Sequence, residues 1–280
     1  MKTRIISGVV GVVLLVGLMF LMNTPVFSIA VALLALIAVH EITGVAKVEN
    51  KIIRALSCIF AAATPLVIDY DLLNRFNIPF SSVLIVYTLA ILILMLAQYE
   101  KTKFEHVAIS FFASITVPFS FSVLVMLRDF HETATAYTSA HSLFFIIFAL
   151  CCAWLTDTFA YFVGSKFGKH KMSPKISPKK SVEGAIGGVV GAAILNTVLV
   201  IIFNQFVFES NPVSVWFVIP VSIALSVISM LGDLSASVIK RNYGAKDFGK
   251  IMPGHGGVMD RFDSCLFTLP TLYFILSFLK

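Results

Sequence analysis

The sequence predicts an all-α integral membrane protein with about nine transmembrane helices, and three observations carry that prediction. The 280 residues are 58% hydrophobic and only 13% charged, beyond the usual apolar share of a water-soluble domain. The apolar residues come in runs of about 20, the length a helix needs to cross a hydrocarbon core roughly 30 Å thick. The cations gather on one side of those runs, as the positive-inside rule requires of a correctly oriented chain.

In order, the runs fall at about residues 5–22, 26–46, 52–68, 79–98, 106–126, 142–165, 184–207, 213–236 and 262–279. The third is short and the sixth and eighth carry ionisable residues, so a count of eight or ten is also compatible. The first follows Lys2 and Arg4 as a signal peptide would, but no small-x-small cleavage site follows Met22 and a second run begins almost at once. It reads as a retained helix. With the N-terminus inside, one face holds Lys2, Arg4, Lys47, Lys51, Arg54, Lys101, Lys103, the lysines from 166 to 180 and the cations from Lys240 to Arg261, eighteen in all. The other holds Arg75, Arg128 and Lys280. The net charge of +6 is therefore a mark of topology, and no basic, aromatic-interleaved module points to nucleic acid.

Residues 1–145 read as scaffold helices and 146–280 as the catalytic part with cytoplasmic loops, within one membrane domain. Small and aromatic residues of the first half, Gly8 and Gly11, Ala32 and Ala35, Phe111 and Phe112, suit close helix packing and lipid contact. Glu41, near the cytoplasmic end of the second run, is expected to snorkel or to pair with Lys47. Cys58, Cys151, Cys152 and Cys265 show no CxxC or Cys/His spacing and read as buried thiols. His40, His106, His131, His141 and His170 have no metal-ligand spacing either.

Polar chemistry concentrates after residue 150, in three places. In the first, Asp157, Tyr161, Gly164 and Gly168 recur at near-helical spacing and would share a face. An Asp inside an apolar helix is costly unless it is paired, here with Lys166 or Lys169, or binds a cation. The lysine-rich loop that follows carries Ser173-Pro174 and Ser177-Pro178, which hold it away from helix. Ser181, Glu183 and Gly184 then open the next helix, and a helix N-terminus beside Lys179 and Lys180 suits an anion. In the second place, Asp233, Ser237, Lys240 and Arg241 fall on one helical face, where Asp233 suits a divalent ion and Lys240 and Arg241 suit phosphate.

The third place is KDFGKIMPGHGGVMDRFD. Its glycines Gly254, Gly256 and Gly257 surround His255 and allow positive φ, so that backbone N–H groups can turn toward an anion. Asp260, Arg261 and Asp263 follow. Magnesium takes one or two carboxylates and completes its shell with water and substrate phosphate. Carboxylates from two helices, cations beside them and a glycine loop make a phosphoryl or nucleotidyl transfer site. It is neither a Walker A loop nor a Rossmann fingerprint.

The pattern S-x-x-K-R-x4-K-D-x-G-x3-P-G-H-G-G-x2-D-R-x-D resembles the C-terminal signature of the phosphatidate cytidylyltransferases, also called CDP-diacylglycerol synthases. Here it runs from Ser237 through Lys240, Arg241, Lys246, Asp247, Gly249, Pro253, Gly254, His255, Gly256, Gly257, Asp260 and Arg261 to Asp263. A second stretch, D-x3-Y-x2-G followed by SPKKS-x-EG, is similar at Asp157, Tyr161, Gly164, Ser177 to Ser181, Glu183 and Gly184. The first 145 residues are similar only in hydropathy and in their number of runs. The resemblance implies that CTP and phosphatidic acid give CDP-diacylglycerol and pyrophosphate, with Mg2+ required and a second metal ion possible. It implies Asp233, Asp260, Asp263 and Asp157 as metal ligands, and Lys240, Arg241, Lys246 and Arg261 as phosphate neutralisers. The loop of Asp247 and His255 would line the triphosphate, while Lys179 and Lys180 would hold the lipid phosphate or the pyrophosphate. The expected setting is a bacterial inner membrane with the active site and N-terminus cytoplasmic, with a homodimer open for its assembly. A lipid kinase and an ion or phosphate transporter are the rival readings. The kinase needs a group to deprotonate an alcohol, and the transporter needs discontinuous helices in repeated halves.

Overall fold

The structure is a computed structural model that describes residues 2–209, 211–254 and 256–279, with the side chains of residues 2–6 left aside. Its helices are α1 (Lys2–Phe20), α2 (Pro25–Val45), α3 (Lys51–Asp69), α4 (Leu72–Arg75), α5 (Phe80–Ala97), α6 (Phe104–Arg128), α7 (Phe130–Thr133), α8 (Ser139–Phe167), α9 (Val182–Phe206), α10 (Val215–Asn242), α11 (Met259–Phe262) and α12 (Cys265–Ser277). A 3-10 turn covers Tyr99–Lys101, and a hairpin of β1 (Lys171–Ser173) and β2 (Ser177–Ser181) precedes α9. Each expected apolar run has become helix. Seven of them (α2, α3, α5, α6, α8, α9 and α10) are long and apolar enough to cross a membrane, while Ser7–Phe20 and α12 are apolar but shorter. The chain is a multi-pass, essentially all-α membrane protein. The ninth run is shortened because α11 and a break at Asp263 and Ser264 use its first residues.

Two compact units make up the chain. One comprises residues 1–126 and 243–261, the other residues 127–242 and 262–280. In the first, α2 buries the small side chains of Ala32, Ala35 and Ala38, which let helix backbones approach where lipid removes the hydrophobic drive to associate. Gly11, by contrast, has open space beside its α-carbon, so it makes no close helix contact. Asn50 caps α3 by accepting from the Ile52 and Ile53 N–H groups and donates to Thr102 Oγ1 at 2.9 Å. That leaves little of the helix start unsatisfied. Ile53, Tyr87, Ile91 and Val107 form a buried cluster, with Phe60 stacked on Tyr87 at 3.9 Å between ring centroids.

In the second unit, α8 and α9 meet through glycines. A Cβ on Gly188 would come within 2.7 Å of Thr156 O, and one on Gly184 within 2.7 Å of Ala160 O. Gly187 and Gly191 lie against Val163 and Phe159. Asn196 of α9 donates to Ser222 Oγ of α10 at 2.9 Å and to Cys152 Sγ of α8 at 3.3 Å, a buried polar knot at which three helices meet. At the other end of these helices Phe144 packs on Phe148, Phe203 and Phe208, and His141 stacks on Phe208 while its Nε2 meets Asn211 O at 2.9 Å.

Candidate active site

Five of the charged residues singled out by the sequence come together in the second unit. Asp157 stands on α8, Lys180 on β2, Asp233 and Lys240 on α10, and Asp263 in the break between α11 and α12. Lys180 Nζ forms an ion pair with Asp233 Oδ2, both side chains about one-fifth exposed. Lys240 Nζ lies 3.9 Å from Asp263 Oδ2, with both side chains nearly buried. Asp263 also accepts from the Ser264 N–H at 2.8 Å, and Ser264 Oγ donates to Asp157 Oδ2 at 3.1 Å. Asp263 feels the negative charges of Asp233 and Asp157 together with the positive charge of Lys240. Among these five groups carboxylates outnumber ammonium ions. That is a costly arrangement for side chains held away from bulk water unless a further cation joins them.

Local structure explains how the groups arrive. Gly232 precedes Asp233, and a Cβ there would meet Asp263 O at 2.9 Å, so only glycine lets the α11–α12 break lie against α10. Ser237, one turn beyond Asp233, is buried on the same helix. The hairpin pairs Lys171 with Ser181 and Ser173 with Ser177, which converts the expected extended lysine loop into an ordered ribbon. Ser181 caps α9 by accepting from the Gly184 N–H at 3.1 Å. Glu183 accepts from the Lys169 and His170 N–H groups and meets His170 Nδ1 at 2.6 Å; its carboxylate closes the turn into the hairpin. Arg241 is exposed, and its Nε donates to Ile176 O at 3.3 Å. Lys179 is exposed while Lys180 is turned inward to Asp233. The expected common face of Asp157, Tyr161, Gly164 and Gly168 is only partly kept. Gly164 packs on Gly184, whereas Tyr161 is 70% exposed and Gly168 already lies beyond the helix.

The glycine loop belongs to the first unit. Gly254 and Gly256 have φ of 79° and 89°, the left-handed conformation that glycine adopts without steric cost, and the Met252 N–H donates to Gly256 O at 2.9 Å. Asp260 Oδ2 accepts from the Phe248 N–H at 2.7 Å and the Gly257 N–H at 2.9 Å, so this carboxylate closes the loop from within. Lys246, Asp247 and Arg261 are exposed around it. His255, expected to line the triphosphate, lies outside the described residues.

Glu41 is where the sequence reading needs correction. It neither snorkels nor pairs with Lys47. It is 5% exposed, and its carboxylate accepts from the Val258 N–H at 3.1 Å and the Met259 N–H at 2.9 Å. Neighbouring sequence suggested Lys47, but the partners lie 217 and 218 residues away. The signal that could have found them is an acid in an apolar helix matched to a chain with an excess of donor-rich glycine loop.

Among the described residues no three His, Cys, Asp or Glu side chains converge as a ready metal cage. A hard divalent ion that keeps water and substrate phosphate in its shell needs only one or two carboxylates, and Asp233 and Asp263 offer oxygen donors of that kind.

The sequence has relatives of known name. Phosphatidate cytidylyltransferase of Bacillus subtilis is 31% identical over 283 residues, covering 99% of this chain and 98% of that protein. Proteins of the same name from Staphylococcus saprophyticus and Staphylococcus aureus are 38% identical over 224 residues and 32% identical over 236 residues. These matches cover 74% and 78% of this chain, and 84% and 88% of the respective relatives. Residues 2–279 match the cytidylyltransferase family, and the chain belongs to that family.

Proposed function

We propose that this protein transfers CMP from CTP to phosphatidic acid at the cytoplasmic face of a bacterial inner membrane, giving CDP-diacylglycerol and pyrophosphate. The observation that carries the reading is the cluster of Asp157, Lys180, Asp233, Lys240 and Asp263 at the end of an apolar helix bundle. A cluster of both signs suits a reaction whose two substrates are both polyanions. The eighteen cations assigned to one face support the orientation.

The phosphate oxygen of phosphatidic acid attacks the α-phosphorus of CTP, and the bond between the α-phosphorus and its bridging oxygen breaks to release pyrophosphate. The attacking phosphate is already ionised, so the site needs no strong general base. Its task is to hold two anions in line and offset their repulsion. Lys240 and Arg241 of α10 would offset charge on the CTP phosphates, and Lys246 and Arg261 of the glycine loop are the further candidates for that task. Lys180, and Lys179 farther out, receive the lipid phosphate or the departing pyrophosphate. Asp233 and Asp263 would hold Mg2+, with Asp157 and Asp260 as the further candidates; an ion held there would supply positive charge to offset that of the phosphates. Lys180 would release Asp233 to take part.

Purified protein incubated with cytidine-labelled CTP, phosphatidic acid and Mg2+ should yield a labelled lipid and pyrophosphate, and chelation should stop the reaction. A nucleoside diphosphate with no cytidine in the lipid would instead identify a lipid kinase. Solute flux into liposomes without nucleotide would identify a transporter.

A further inference from the structure

We propose that Glu41 is a positioning residue for the nucleotide: from α2 it fixes the shape of the glycine loop that receives CTP, without touching the reacting atoms. The role rests on the assignment of that loop to CTP. Three observations support it. The two carboxylate oxygens of Glu41 are each used by one backbone N–H, Val258 on Oε1 and Met259 on Oε2. Gly249 and Gly257 press their α-carbons against the same carboxylate, and a Cβ at either position would collide with its oxygens. Gly257 at the same time donates its N–H to Asp260 at 2.9 Å, so it is held between two carboxylates. The loop is also tied to α1, where Ser7 Oγ donates to Pro253 O at 3.0 Å.

A buried carboxylate in an apolar helix is costly unless its lone pairs are filled. Here the filling is done by the loop itself, so the loop has one shape in which Glu41 is satisfied. Loop N–H groups held in advance spend less ordering on binding, and the gain appears as affinity for the nucleotide.

Glu41→Gln keeps the volume but only one acceptor, and turns an amide NH2 toward a backbone N–H. In the detergent-solubilised full chain it should raise KM for CTP about tenfold while kcat stays within about twofold and KM for phosphatidic acid is unchanged, the signature of lost ground-state and transition-state binding alike. Hydrogen–deuterium exchange without substrate should quicken at residues 256–259 and remain at wild-type rates in α8 and α9, which shows that the fold is intact. Gly249→Ala, which pushes on the same carboxylate, should give the same split between KM and kcat, and Lys47→Ala should change neither. An active wild type beside a Glu41→Gln variant with unchanged KM for CTP, or with equal losses for both substrates, ends the role of Glu41 alone. A wild type that makes no labelled lipid ends the cytidylyl-transfer reading, and the role of Glu41 with it.

Discussion

Lys180 on β2 and Asp233 on α10 form an ion pair, so the lysine-rich ribbon is fastened to the carboxylate helix at the charged end of the second unit. The neighbouring Lys179 is exposed. Adjacent lysines in one strand point to opposite faces, and this alternation separates two residues that the sequence alone leaves equivalent.

Lys180→Ala should therefore lower kcat/KM for CDP-diacylglycerol formation by about 100-fold, the usual cost of removing one placed charged donor from a reacting site. Lys179→Ala should cost less than about tenfold, since an exposed cation acts through a screened field. Steady-state rates with labelled CTP measure both. Equal losses in the two variants would show that the ribbon acts as an undivided patch of charge.

Lys240 and Asp263 are both nearly buried and 3.9 Å apart. Lys240→Ala leaves Asp263 beside the like charges of Asp233 and Asp157, and removing one partner of a buried pair costs about 3–5 kcal/mol. Thermal unfolding in detergent should show a clear fall in midpoint. Adding Asp263→Asn should restore most of the stability, because the stranded charge is gone, and should restore no activity. A double variant no more stable than Lys240→Ala would mean that the lysine stabilises through packing of its stem.

Much of this arrangement was legible because the bilayer acts as a strict solvent. A run of about 20 apolar residues has few alternatives to helix when each backbone group must be satisfied internally, and all the expected runs became helices. Asp233 and Lys240 were placed on one face by helical periodicity, which needs no tertiary information. The partners of Glu41, Val258 and Met259, are not legible in the same way, because they are contributed by a loop that periodicity does not describe. The hairpin of Lys171 to Ser181 was missed for a related reason. Its prolines exclude helix, but the pairing rests on a bulged register and on Glu183 closing the turn at Lys169 and His170, contacts that no local pattern announces.

Gly188 and Gly17 separate a packing glycine from an exposed one. A Cβ on Gly188 would stand 2.7 Å from Thr156 O, while Gly17 has nothing within 4 Å. Gly188→Ala should destabilise by about 1–3 kcal/mol and reduce turnover, because Thr156 precedes Asp157 on the helix that must move away. Gly17→Ala should be neutral or slightly stabilising, since alanine favours helix by about 1 kcal/mol. Thermal midpoints of the two variants decide the matter. A neutral Gly188→Ala would mean that α8 and α9 can part without disturbing the site.

Asp260 does two jobs that one substitution can divide. Its Oδ2 accepts from the Phe248 and Gly257 N–H groups, a structural task that an amide oxygen can also perform. Its negative charge is the feature proposed to hold Mg2+ or to face the reacting phosphates. Asp260→Asn keeps an oxygen acceptor for the loop and removes the charge. Amide exchange at Phe248 and Gly257 should thus stay within a few-fold of wild type, while turnover falls by at least about 100-fold, as expected when a group acts on charge that develops in the transition state. Asp260→Ala should lose both the protection and the turnover. If Asp260→Asn instead retains near-normal turnover with the loop intact, the carboxylate is a loop closure only, and the metal must be held by Asp233 and Asp263.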